Sequence, residues 1–189
     1  MKKLAINTAL CALLGTSFAA QAALEDLGNG VIKDTDLGIE WLADANYSKS
    51  SGYHTTGAMN WDAANTWASN LTFLGNSDWR LPSASEMEHL FYQELGGSGG
   101  SAISTSHNVY YNLFNNVQSS WYWTGNENTN NSNQALAFGF FNGGEYMTNK
   151  TSGFFAMAVS SVPEPETYAM LLAGLGFVGF MARHRKQIS

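Results

Sequence analysis

Three consecutive aromatic residues, Trp121, Tyr122 and Trp123, run into a stretch that carries Asn126, Asn128, Asn130, Asn131 and Asn133. Flat rings suit the C–H faces of sugars, and side-chain amides offer the paired donors and acceptors that match hydroxyls. Together these residue types fit carbohydrate recognition, with Trp121, Tyr122, Trp123, Asn126 and Asn128 as the candidate contacts. Strand alternation sends Trp121 and Trp123 to one face and Tyr122 to the other. One face is then expected in the core and the other toward a ligand. The competing reading is structural: aromatics in strands are mostly core, and asparagine-rich loops are mostly solvated turns.

Other constellations carry less chemistry. Asp34, Asp36 and Glu40 offer carboxylates to a hard cation such as calcium. The calcium-loop pattern is not met, because Leu37 stands at the next ligand position and Gly38 is displaced, and a hairpin turn explains the same residues. His54, His89 and His107 are far apart and lack the spacing of a zinc site, so no metal is expected. His89, beside Glu88 on a predicted helix, is expected on a solvated face. No serine sits in a G-x-S-x-G elbow. The single cysteine, Cys11, lies near the N-terminus. These observations favour a non-enzymatic protein with no cofactor. An envelope hydrolase and a matrix component without a specific ligand are the alternatives. Arg80, between Trp79 and Leu81, is expected to pair with a carboxylate and lock two segments together.

Charge narrows the partners. The chain has a net charge of −6, and between Ala23 and Ser161 thirteen acidic residues face four basic ones, Lys33, Lys49, Arg80 and Lys150. Nucleic acid, anionic lipid and sulfated polysaccharide are poor partners for such a surface.

The elements that must position these residues form an α+β pattern. Val31–Lys33 and Ile39–Leu42 read as a hairpin through Asp34–Gly38, and Tyr47–Asn60 reads as a loop. Trp61, Ala64, Ala68, Leu71 and Leu74 recur at helical spacing, with Gly75-Asn76 as the stop. A second helix follows Pro82, where Ser83 and Glu86 form a capping box. Met87, Leu90 and Phe91 give it an apolar face, and Gly96-Gly97 ends it. Gly97–Asn108 reads as a flexible segment. Ser120–Thr124, Ala135–Phe141 and Phe154–Val159 read as strands, the last two buried on both faces.

Both ends of the chain read as addresses. Met1-Lys2-Lys3, the apolar run Leu4–Phe18 and Ala20-Gln21-Ala22 make a signal peptide over residues 1–22, whose removal leaves a mature chain without a thiol. An ectodomain is expected over 23–160 and a linker over 161–167. At the other end, Val162-Pro163-Glu164-Pro165 precedes an apolar run from Tyr168 to Ala182 and a basic cluster containing Arg183, Arg185 and Lys186. The apolar run, about 22 Å as a helix, is short for the ~30 Å hydrocarbon core, but Tyr168 and Arg183 can extend it at the interfaces. Residues 168–182 are therefore expected to be a transmembrane helix and 183–189 a cytoplasmic tail.

The Pro/Glu motif, apolar run and basic cluster, in that order, resemble the PEP-CTERM sorting signal. This resemblance implies handling by an exosortase-type sorting protease, a transient inner-membrane anchor, and delivery to the cell surface or extracellular matrix. Asp36-Leu37-Gly38-Ile39-Glu40-Trp41-Leu42, Trp61-Asp62-Ala63-Ala64, Asp78-Trp79-Arg80-Leu81-Pro82-Ser83 and Trp121-Tyr122-Trp123-Thr124 resemble the DUF1566 domain at the C-terminus of the Legionella collagen-like adhesin. That resemblance implies a C-type-lectin-like fold with two helices and an antiparallel sheet. It also implies a part in binding or organising exopolysaccharide during biofilm or floc formation. Many relatives finish with a strand carrying Arg and Cys, whereas this chain has Phe155-Ala156-Met157-Ala158-Val159, so any role of those residues is absent here.

Overall fold

The computed structural model describes residues 23–162, which form two antiparallel sheets and several short helices. The larger sheet has the strands β1 (Leu24–Asp26), β2 (Val31–Asp34), β3 (Ile39–Leu42), β4 (Trp79–Arg80) and β8 (Val159–Ser161), in the spatial order β1-β2-β3-β8-β4. The smaller contains β5 (Trp121–Glu127), β6 (Gln134–Gly139) and β7 (Glu145–Asn149) in sequence order. The α+β class expected from the sequence is observed. The signal peptide, the segment 168–182 and the basic tail lie outside the described residues. Among the described residues no helix is long and apolar enough to cross a membrane.

The expected β2–β3 hairpin forms with Val31 opposite Leu42 and Ile32 opposite Trp41. Alternation divides these residues between two cores. Leu24, Ile32, Ile39, Trp41 and Val159 join one cluster with Phe91, Tyr122 and Phe138. Val31, Leu42 and Ala158 join another with Trp61, Trp79 and Trp123. Strands β5 and β6 are apolar on both faces because each face meets a different core.

Helix α1 (Tyr47–Ser50) lies inside the stretch expected to be loop. Helix α2 (Trp61–Ser69) begins where expected, with the Asn60 side chain accepting from the Ala63 N–H at 2.8 Å. It stops well before Gly75-Asn76. Asn70 and Thr72 are weak helix formers, and Leu74, 64% exposed with a φ of 52°, contributes nothing to the core. Asn76 instead ties two segments, its amide donating to Ser160 Oγ at 2.7 Å.

Helix α3 (Ala84–His89) starts with the expected capping box and continues as a π-turn over Leu90–Glu94, closed by the Leu95 N–H donating to the Leu90 carbonyl. Met87, Leu90 and Phe91 are buried as expected, and Gly96 follows at a φ of 70° that favours glycine. The segment read as flexible, Gly97–Asn108, plants Ile103 in the core and is followed by a 3₁₀ turn over Val109–Leu113. Near the C-terminal end the expected strand is displaced: Phe154 and Phe155 make single bridges to Met59 and Tyr122, and regular pairing starts at Val159. This segment joins the two sheets, with Phe155 bonded to β5 and Ala158 to Leu42.

Candidate functional site

An aromatic ledge forms where β5 begins. Trp121 lies opposite Gly139, and Tyr146 lies opposite Ala137, which also pairs with Trp123. Register therefore places Trp121 and Tyr146 on the same face of the small sheet. Their ring centroids are 5.3 Å apart with a tilt of 34°, and Phe141 meets Trp121 edge-on at 4.8 Å. Tyr146 is 50% exposed, Phe141 is 37% exposed and Trp121 is half-buried. Gly139 makes this arrangement possible. A Cβ there would stand 2.9 Å from the Trp121 ring and 3.0 Å from Phe141, so only glycine lets both rings settle over the strand. The neighbouring Asn142 accepts from the Gly144 N–H at 3.0 Å through its carbonyl oxygen, which leaves its NH₂ as a donor beside the rings.

The other expected sugar contacts fall elsewhere. Tyr122 and Trp123 have no exposed surface, so neither can stack on a sugar. The Trp123 indole donates to the Met59 carbonyl at 2.9 Å, and the Tyr122 hydroxyl accepts from the Gln118 N–H at 2.7 Å. Burial pushes the Tyr122 hydroxyl pKa far above its ordinary value. Both faces at Trp123 and Tyr122 are core, because the small sheet separates two clusters rather than covering one.

The asparagine loop is largely committed to itself. Asn128 donates to Gln134 Oε1 at 3.0 Å and accepts from the Asn130 N–H at 2.9 Å, while Asn131 accepts from the Asn133 N–H at 3.1 Å. Asn126 accepts from the Ala84 N–H at 2.8 Å and so serves the first turn of α3. The same turn receives Arg80, whose guanidinium grips both oxygens of Glu86 at 2.7 and 2.8 Å and also donates to the Leu81 carbonyl. Glu86 in addition accepts from the Ser83 N–H at 2.7 Å, completing the capping box. Arg80, Ser83 and Glu86 thus tie the first turn of α3 to β4. Burial, the largest single influence on Glu86, pushes its carboxyl up, but the hydrogen bonds from Arg80 and Ser83 outweigh it and hold the pKa below the usual range.

A second polar cluster was not expected. His89 is not on a solvated face: it is half-buried, and its Nε2 lies 3.1 Å from Glu94 Oε1. Asp34, fully buried on the core face of β2, completes a group in which one ligand atom from each residue lies within 4.8 Å of the others. Asp34 is also the turn residue expected, accepting from the Leu37 N–H at 3.0 Å and from the Trp41 indole at 3.4 Å. Burial, with the neighbouring charge of Asp34, pushes the Glu94 carboxyl above the ordinary range, against a smaller opposing effect of His89. Asp36 is exposed and Glu40 pairs across to Lys33 and Ser160, so Asp34, Asp36 and Glu40 do not form one set of ligands for calcium. His54 accepts from the Gly57 N–H at 3.1 Å within its own loop, and His107 stacks on Tyr111 with centroids 4.2 Å apart.

Residues 30–160 match the Lcl C-terminal domain family, and residues 161–186 match the PEP-CTERM protein-sorting motif. No curated protein matches the chain. The first match spans well over half of the chain, which belongs to the Lcl C-terminal domain family. The sorting motif implies an exported protein with a C-terminal membrane-anchoring signal processed by an exosortase. Of that motif, Val162 is the one residue of Val162–Pro165 within the described part; its N–H donates to the Gly38 carbonyl at 3.0 Å.

Proposed function

We propose that this chain is a non-enzymatic surface protein whose Lcl-type domain binds uncharged exopolysaccharide through the ledge of Trp121, Phe141 and Tyr146. Export and exosortase handling follow from the sorting motif; the ligand and the cell-surface or matrix endpoint are parts of this reading. So is the C-type-lectin-like relationship, which the α+β architecture supports at the level of class. The family match suggests an adhesin.

The observation that carries the proposal is the ledge itself. Three aromatic side chains share a partly solvent-exposed site at one end of the small sheet, and the Asn142 amide stands beside them. Soluble proteins seldom leave contiguous apolar surface open without a partner for it. A sugar ring uses both parts of such a surface, stacking its C–H face on the rings and offering hydroxyls to the amide. The acidic excess of thirteen to four across the domain argues for a glycan without sulfate or carboxylate groups.

The test is a binding series with the purified full chain and the exopolysaccharide of its own host. Saturable binding that Tyr146→Ala and Trp121→Ala weaken, with little dependence on salt, supports the ledge. Binding that is absent in the wild-type protein favours a matrix component without a specific ligand. Release of shorter sugars during incubation points to a hydrolase and contradicts the proposal.

A further inference from the structure

We propose that Asp34, His89 and Glu94 form a binding site for a divalent transition-metal ion of the zinc class, set between β2 and the helical segment Ala84–Glu94. The three residues come from separate places in the chain: the end of β2, the last turn of α3, and the π-turn that follows it. The π-turn makes the pairing possible. It inserts a residue into the helical turn, so that His89 and Glu94, five apart, point into one site.

Burial sharpens the argument. Asp34 is fully buried and Glu94 is 5% exposed, yet among the described residues their only cationic partner is one imidazole. Two buried carboxylates against a single histidine leave uncompensated negative charge, which proteins ordinarily pair or give to a metal. The second oxygen of Glu94 receives no hydrogen bond among the described residues and keeps some contact with solvent, while its neighbour Oε1 is engaged with His89.

The donor set selects the ion. One imidazole nitrogen and two carboxylate oxygens suit zinc and its first-row neighbours better than calcium or magnesium, which take oxygen ligands alone. Ligand atoms around zinc stand roughly 3–3.5 Å apart at bond lengths of ~2.0–2.2 Å. The His89–Glu94 separation of 3.1 Å already fits. The widest gap, within 4.8 Å, closes by about 1.3–1.8 Å to reach that spacing, a movement left to the side chains of His89 and Glu94 because Asp34 is held by its own hydrogen bonds. Three protein ligands leave a further coordination position for water.

Supporting groups are present as well. The Leu37 N–H and the Trp41 indole fix the orientation of Asp34 and leave it lone pairs for a metal. His89 also lines an open groove of about 520 Å³ with Ser85, Glu88, Tyr92 and Gln93, so one of the three residues borders solvent-accessible space.

The probe is zinc chloride, titrated calorimetrically into the purified full-length chain after chelator treatment. The expected result is one zinc per chain, with affinity reduced at least about tenfold in Glu94→Gln and in His89→Gln. His89 is half-buried and glutamine retains a donor toward Glu94, so this second variant stays informative if Glu94→Gln does not fold. Circular dichroism establishes that each variant titrated is folded. Failure of the wild-type chain to bind zinc at millimolar concentration overturns the proposal. So does binding that a folded His89→Gln protein retains within tenfold.

Discussion

The two ends of β5 invite opposite uses. At its start, Trp121 meets Phe141 and Tyr146 in a group of rings that solvent still reaches. At its far end, the strand enters an asparagine loop whose side chains bond to the loop's own backbone, to Gln134 and to the first turn of α3. In composition the loop looks like the polar surface a sugar would want. In structure the side chains of Asn126, Asn128 and Asn131 hold backbone groups that would otherwise need water. The ledge, built from residue types that normally fill cores, is the end with capacity to spare. A binding surface is marked by what remains unsatisfied, not by polarity alone.

The largest effect that can break this comparison is on binding. Tyr146→Ala is expected to lower glycan affinity at least about tenfold, roughly 1.4 kcal/mol. Because Tyr146 is half exposed, the melting temperature should barely move. A large loss of stability with unchanged binding would make the ledge a piece of core.

At the other end the effects should fall on stability. Glu86→Ala removes the forked contact with Arg80 and half of the capping box, and is expected to cost about 1–2 kcal/mol in denaturant unfolding with glycan binding intact. The partial exposure of Arg80 keeps the figure at that modest level.

The same carboxylate gives a pH dependence. Glu86 has a folded pKa below its unfolded value, so its contribution is fully present at neutral pH. It is lost as pH falls from the ordinary carboxylate range through the depressed folded value. Acid unfolding of Glu86→Gln should therefore be shallower over that window than that of the wild-type protein, measured as midpoint against pH. Two equal slopes would show that the contact with Arg80 contributes nothing in solution.

Smaller effects are expected in the loop. Asn126→Ala takes one acceptor from the first turn of α3 and should cost about 1 kcal/mol. Asn128→Ala, in a half-buried side chain that serves only its own loop, should cost a few tenths to about 1 kcal/mol. Both should leave glycan affinity unchanged by the same binding measurement, and a tenfold loss in either would move the site to the loop.

Much of the frame was legible in the sequence where a local rule settled the structure. The Ser83–Glu86 spacing identified the start of α3, and the turn residues from Asp34 to Gly38 identified the hairpin. The pairing of Arg80 with a carboxylate could be expected from its apolar neighbours, though the partner could not. Other features depend on distant contacts. Period-two alternation treats Trp121 and Trp123 alike, but Trp123 lies deep in one core and Trp121 half-buried at the sheet's end. Strand β7 was missed because Glu145-Tyr146-Met147 follows Gly143-Gly144 and has little apolar periodicity; its aromatic and β-branched residues were the available signal. The His89–Glu94 pair is not legible in the sequence because its five-residue spacing converges only through a π-turn, which no local pattern announces. The apolar pattern extends a strand to Phe141, whereas the chain turns after Gly139 and leaves the Phe141 ring beside Trp121.

The most direct measurement is the equilibrium binding of the host exopolysaccharide to the purified full chain, with Tyr146→Ala and Asn128→Ala run beside the wild type. The account predicts that Tyr146→Ala loses at least tenfold in affinity while Asn128→Ala matches the wild type. Equal affinity in all three proteins, or a loss confined to Asn128→Ala, would contradict it.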